Sequence, residues 1–190
     1  MYTIGVSGSR VFNYKRVVTG VLSGLIFKIL SKQPDSTQLR LCHGGAGGVD
    51  EWAKEVGKQF KVVPHVIRPD YVKHAQNPRY APIARNGEIV DCSDIMLFFW
   101  DCESRGTADA ILKCCESGKF GLIYTDAHNL PIETRELHKA VQVLGKKPSA
   151  ARLGRMVEHL QELSEPRPGL TEEDAVLLLA SIGVNYGGGE

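Results

Sequence analysis

The chain lacks any C-x-x-C pair, and its five cysteines, Cys42, Cys92, Cys102, Cys114 and Cys115, are odd in number. Neither a zinc-type cysteine spacing nor a complete disulfide framework is therefore expected. The thiols are read as reduced and mostly packed as small apolar groups, with the adjacent Cys114 and Cys115 on different faces of one helix. The six histidines, at positions 43, 65, 74, 128, 138 and 159, show neither H-x-x-x-H nor H-E-x-x-H, so no metal site is expected from spacing. Charge of one sign is also missing. Lys and Arg total 23 against 22 Asp and Glu, a formal net charge of +1, which leaves no broad attraction for nucleic acid and requires any anion to be held locally. No apolar run approaches the roughly 20 residues that span a bilayer, and the opening M-Y-T-I-G-V-S-G-S-R carries no basic leader. The expectation is a cytoplasmic protein without a membrane partner.

What is present is a globular composition, 43% hydrophobic and 24% charged over 190 residues, enough for one main domain with a core and an appendage. Tyr2 to Val6 is a short apolar run ending in the turn-forming Ser7-Gly8-Ser9-Arg10, which reads as a strand and a loop. Val17, Val18, Val21, Leu22, Leu25, Ile26, Ile29 and Leu30 recur at helical spacing and predict a helix from near Asn13 to before Pro34. Leu39 to Cys42 predicts a second strand running into Gly44-Gly45-Ala46-Gly47-Gly48, followed by a helix over Val49 to Phe60. Val62 to Ile67 predicts a third strand, which Pro64 assigns to an edge or bulge. The polar, proline-punctuated stretch from Arg68 to Pro82 predicts a long loop that covers the site. Ile83 to Cys92 predicts a helix, Ile95 to Trp100 a buried strand, Thr107 to Ser117 a helix and Phe120 to Thr125 a further strand.

This alternation predicts a Rossmann-like α/β fold: a mainly parallel sheet of about five strands with helices on both faces. After Pro131 the strand signals stop, and helices are expected over Glu133 to Leu144, Ser149 to Leu163 and Thr171 to Ile182. The chain thus divides into residues 1–130, a ligand-binding domain, and 131–190, a helical extension with a disordered tail. The extension's apolar stretch Val176-Leu177-Leu178-Leu179 either packs on the core or forms a homo-oligomer interface.

In an open α/β sheet, ligands bind beyond the carboxyl ends of the strands. Three loops stand there: Ser7 to Arg10, His43 to Asp50, and Cys102 to Thr107. The glycine turn lets backbone N–H groups approach an anion with no Cβ in the way, and the following helix brings its positive N-terminus to the same place. It is neither G-x-G-x-x-G nor a P-loop. A tight connection is the competing reading for the turn by itself. Ser104-Arg105-Gly106-Thr107 opens a second helix in the same manner, and two such turns can clamp one phosphate-bearing ligand. Arg10 and Arg105 then act as charge-assisted donors or stay as solvated surface arginines. Asp50 fits either a helix-terminal charge or a ribose hydroxyl acceptor. Arg85 and Asn86 follow the long loop with Glu88 nearby, and His43 adjoins the glycine turn. Trp52, Trp100 and Tyr71 read as core or pocket wall, since no basic stripe accompanies them.

The set S-G-S-R at Ser7 to Arg10, H-G-G-A-G-G-V-D-E-W-A at His43 to Ala53, R-N at Arg85-Asn86 and S-R-G-T at Ser104 to Thr107 resembles the SLOG superfamily, Rossmann-like proteins related to Smf/DprA and Lonely Guy. Order and spacing look most like its YspA-like branch, over roughly Met1 to Thr125. The resemblance implies a pocket for a nucleotide or nucleotide-derived molecule at Gly8, Ser9, Arg10, Gly44, Gly45, Gly47, Asp50, Arg85, Asn86, Gly106 and Thr107, flanked by Ser104 and Arg105. Lonely Guy enzymes cleave the N-glycosidic bond of nucleoside monophosphates with an arginine and a glutamate after P-G-G-x-G-T-x-x-E. Here that glutamate position is Ala110, which leaves Asp109 and Glu88 as substitute carboxylates. The sequence therefore favours a binder that senses or sequesters such a ligand without a cofactor, with a nucleotide N-glycoside hydrolase as the alternative.

Overall fold

Every residue of strand β4 (Ile95–Trp100) is buried, and its alternating side chains divide the core into two layers. Leu97 and Phe99 face one side of the sheet, while Met96, Phe98 and Trp100 face the other. A strand buried on both faces needs helices on both, and each of these side chains contributes on the order of 1.5–3 kcal/mol by leaving water. The computed structural model describes residues 1–32, 38–128 and 130–164.

Around β4 lie β1 (Tyr2–Gly8), β2 (Leu39–His43), β3 (Val63–Val66), β5 (Gly121–Thr125) and β6 (Ile132–Glu133). The sheet order is β3-β2-β1-β4-β5-β6. Neighbours from β3 to β5 pair parallel, and β6 pairs antiparallel with β5. This is a Rossmann-like α/β fold, in which the chain winds outward from β1 in one direction and then from β4 in the other. The first layer is closed by α1 (Lys15–Lys32) and α2 (Val49–Gln59), whose Val18, Leu22, Ile26, Ala53 and Val56 meet Ile4, Val6 and Leu41. The second is closed by α3 (Ala81–Asp91), α4 (Arg105–Glu116), α5 (Thr134–Val143) and α6 (Ala150–Ser164). Leu137 of α5 and Leu153 and Val157 of α6 share one cluster with Phe98, Trp100 and Ile123. Buried Gln161 ties α6 down further: its Oε1 accepts from Thr125 Oγ1 at 2.8 Å and its Nε2 donates to Leu130 O at 2.8 Å.

The sheet has six strands where the sequence predicts about five. The extra strand, β6, is two residues long, too short for an alternating pattern, and its register comes from pairing Ile132 with Ile123. Pro64 does sit on an edge strand, where its missing N–H costs nothing. Helix α4 begins at Arg105 rather than Thr107, and α3 at Ala81 with Pro82 in its first turn, where proline is tolerated. Cys114 and Cys115 are both buried, and burial pushes their thiols up to about 11 and about 12, so both are packed thiols rather than reactive ones. The helix expected over Thr171 to Ile182, with the apolar Val176 to Leu179 and the glycine-rich tail, lies outside the described residues. No helix among the described residues is long and apolar enough to cross a membrane.

Candidate functional site

Strand order reverses between β1 and β4, so the loops beyond their carboxyl ends diverge and leave a crevice. A cavity of about 400 Å³ occupies it, with Gly8, Arg10, Gly44, Asp50, Arg85, Asn86, Asp101, Ser104, Gly106 and Thr107 among its walls. Apolar patches come from Val6, Val11, Ile83 and Ile89. Such a volume suits a small organic ligand with a few fixed polar contacts.

Two helix N-termini border this space. Helix α2 starts after Gly48 and α4 after Ser104, and neither start carries a side-chain cap. Glu51 N–H of α2 donates to Gly48 O at 3.1 Å; the other first-turn N–H groups and the positive helix ends suit an anion. The approach of α2 depends on glycine at two places. A Cβ on Gly8 would lie 2.6 Å from the Val49 side chain, and a Cβ on Gly48 would lie 2.8 Å from Arg10 O, at φ 75°. Gly44 leaves room for the Arg85 guanidinium, which occupies the space a Cβ would take.

The charged groups are held as follows. Asp50 is buried, and its Oδ2 accepts the Ala46 backbone N–H at 3.0 Å across the turn. Burial raises its carboxyl above the usual carboxylate range, opposed by the Ala46 N–H and by nearby His43 and Arg85. His43 Nδ1 accepts the Gly45 N–H at 3.1 Å, which leaves the proton of the neutral ring on Nε2. Burial lowers the His43 imidazole, with Asp50 pulling the other way. Both His43 Nε2 and Arg85 Nε are buried donors without a hydrogen-bond partner. Orphaned donors of this kind are uncommon in a native fold; that of Arg85, which lines the cavity, suits an acceptor brought by a ligand, whereas His43 stands behind the lining.

Among the residues singled out from sequence, Gly8, Arg10, Gly44, Asp50, Arg85, Asn86, Ser104, Gly106 and Thr107 line the cavity together. Ser9 is behind the wall: it is 1% exposed, and its Oγ donates to Asp101 Oδ1 at 2.8 Å. Gly45, Gly47 and Arg105 stand outside the lining and are exposed. Asn86 Nδ2 bridges α3 to α4 by donating to Gly106 O and to Asp109 Oδ2, each at 3.1 Å. Asp109 is further held by Lys113 Nζ at 2.7 Å, and Glu88 is exposed on α3 away from the lining. Neither substitute carboxylate faces the cavity. Ala110, the expected glutamate position, is buried in the core at 2% exposure.

Asp101 went unnoticed in the sequence because no motif contains it. It closes β4, where its Oδ1 also accepts the Glu103 and Ser104 N–H groups at 3.1 and 2.7 Å and shapes the entry to α4. The long loop expected as a cover contributes only through its end. Residues 68–80 are absent from the cavity lining, and Pro82 and Ile83 of α3 form that wall instead.

No protein-family model matches the chain, and no curated protein matches it. The X-ray structure of TM1055, a structural-genomics target, is similar with a TM-score of 0.45 and 20% identity, over 63% of this chain and 71% of that one. The fold assignment stands on the strand order and crossovers described above.

Proposed function

We propose that the crevice between β1 and β4 binds a nucleotide or nucleotide-derived molecule and holds it without cleaving it, as a sensor or sequestering protein of SLOG type. The observation that carries this reading is the pairing of two uncapped helix N-termini with Arg10 and Arg85 around one cavity. The phosphate end lies between the starts of α2 and α4, and the apolar Val11, Ile83 and Ile89 suit a base. The orphaned Arg85 Nε, on the cavity wall, finds an acceptor on the ligand. Calorimetric screening against nucleotides, cyclic nucleotides and ADP-ribose derivatives is expected to yield binding for at least one class. Absence of binding across all three sinks the proposal.

One observation favours the hydrolase reading. Asp50 is a cavity carboxyl with a raised affinity for its proton, a property shared with general acids. Release of free base from a nucleoside monophosphate, abolished in Asp50→Asn, establishes that reading. Intact nucleotide after prolonged incubation with protein that binds it rejects it.

We further propose that the protein acts in the cytoplasm and forms a homo-oligomer, the latter from the apolar sequence Val176 to Leu179. An unchanged oligomeric state after removal of residues 165–190 contradicts that interface.

A further inference from the structure

Strand register brings together three side chains that lie far apart in sequence. Cys42 of β2 is the direct parallel partner of His65 on β3, so their side chains leave the same face of the sheet. Cys92, which caps the end of α3 after Asp91, stands above that face. The Cys42 and Cys92 Sγ atoms are 3.0 Å apart, and one donor atom from each of Cys42, His65 and Cys92 lies within 4.8 Å of the others. None of the three lines the ligand cavity.

His65 Nδ1 is buried and has no hydrogen-bond partner. That orphan distinguishes the explanations for the cluster. Packing of two thiols leaves the nitrogen unsatisfied, and so does a disulfide, for which the sulfurs would close by about 1 Å to bond length. A cation bound through Nδ1 uses all three donors. Two sulfurs on one tetrahedral cation, at about 2.3 Å each, lie roughly 3.8 Å apart, an opening of roughly 0.8 Å. Cys92 and His65 are half-buried at the sheet edge formed by β3, which supplies an entry path, while Cys42 is fully buried behind them.

We propose that Cys42, His65 and Cys92 form a binding site for a thiophilic d10 cation, Zn(II) or Cu(I), separate from the ligand cavity. Two thiolates and one imidazole are a soft donor set, selective for such ions over magnesium or calcium. On binding, two metal–sulfur bonds and one metal–nitrogen bond form, and the two thiol protons pass to solvent. A trigonal Cu(I) is complete with these donors, whereas Zn(II) takes water as its fourth ligand. The bound ion ties edge strand β3 and strand β2 to the end of α3.

The test uses the full chain, reduced, stripped of metal and kept anaerobic, titrated with Zn(II) alone or Cu(I) alone against a chromophoric chelator of each. One equivalent of at least one cation is expected to be withheld from its chelator, with proton release and with alkylation of Cys92 slowed relative to the metal-free chain. Because Cys42 is in the core, the variants are Cys92→Ser and His65→Gln, each verified as folded by circular dichroism. Each is expected to lower affinity by more than the roughly 10–100-fold that follows loss of an outer-shell partner. Failure to withhold either cation overturns the proposal. So does unchanged affinity in either variant.

Discussion

The Ser9 hydroxyl donates to Asp101 Oδ1 at 2.8 Å, joining the loop after β1 to the loop after β4 across the point where strand order reverses. The Ser9 N–H donates to Phe99 O at 2.9 Å, and the Asp101 N–H donates back to Ser9 Oγ at 3.3 Å. The two walls of the cavity are thus fixed to each other by a serine that does not line it. Ser9→Ala is expected to destabilise the fold by on the order of 1 kcal/mol, the net worth of a lost hydrogen bond, since Asp101 Oδ1 keeps the Glu103 and Ser104 N–H groups. Ligand affinity is expected to fall with it, because Asp101 also sets the entry to α4. Urea denaturation of the two proteins checks the first effect and calorimetry the second.

Gly44 and Arg85 are expected to act as one unit. Arg85→Ala removes a charge-assisted donor worth about 1.5–3 kcal/mol, or roughly 10- to 150-fold in affinity. Gly44→Ala places a methyl group where the guanidinium lies and is expected to weaken binding by a similar factor through displacement of Arg85. In the double variant the losses should fall short of additive, the signature of a shared interaction. Simple additivity in a double-mutant cycle contradicts the geometry.

Gly48 has φ 75° and ψ −121°, a region that side-chain-bearing residues avoid, and any Cβ there meets the Arg10 carbonyl. Gly48→Ala is expected to cost at least about 1–3 kcal/mol in strain. By contrast, Gly47→Ala, where an added Cβ meets nothing within 4 Å, should be nearly neutral. Thermal unfolding of the pair tests the difference.

Asp50 gives a pH dependence of known sign. Its carboxyl holds a proton more tightly in the folded chain than the ordinary value of 3.8 for the unfolded one. Its contribution to stability is therefore fully present below the unfolded value and lost as pH rises through the raised folded value. Asp50→Asn keeps an acceptor for the Ala46 N–H and removes the titration. Its stability should gain on the wild type as pH climbs through that window and level off above it. Denaturant midpoints measured across the acid range should show this gap opening, and parallel curves would contradict it.

Much of the architecture was legible in local pattern. The apolar run from Ile95 to Trp100, the helical spacing of Val18, Leu22 and Ile26, and the glycine turn each carry their own signal and appear as β4, α1 and the start of α2. What local pattern could not carry arises from tertiary contact. β6 owes its existence to pairing with β5, and Asp101 gains its place through Ser9, 92 residues away. Cys42 and Cys92 are separated by 50 residues and meet only once β2, β3 and α3 are assembled. Asn86, a ligand contact by its motif, does line the cavity, and its amide nitrogen also clamps the first turn of α4 through Gly106 O and Asp109, a role invisible without the helix pair.

A phosphate-bearing ligand is proposed to lie between the N-termini of α2 and α4. A crystal structure of the chain with whichever nucleotide binds most tightly in calorimetry tests it most directly. The account predicts ligand density in the β1/β4 crevice, with phosphate oxygens within hydrogen-bond reach of the first-turn N–H groups and the Arg85 guanidinium. Density for the same nucleotide elsewhere on the protein, with the crevice holding only solvent, would contradict it.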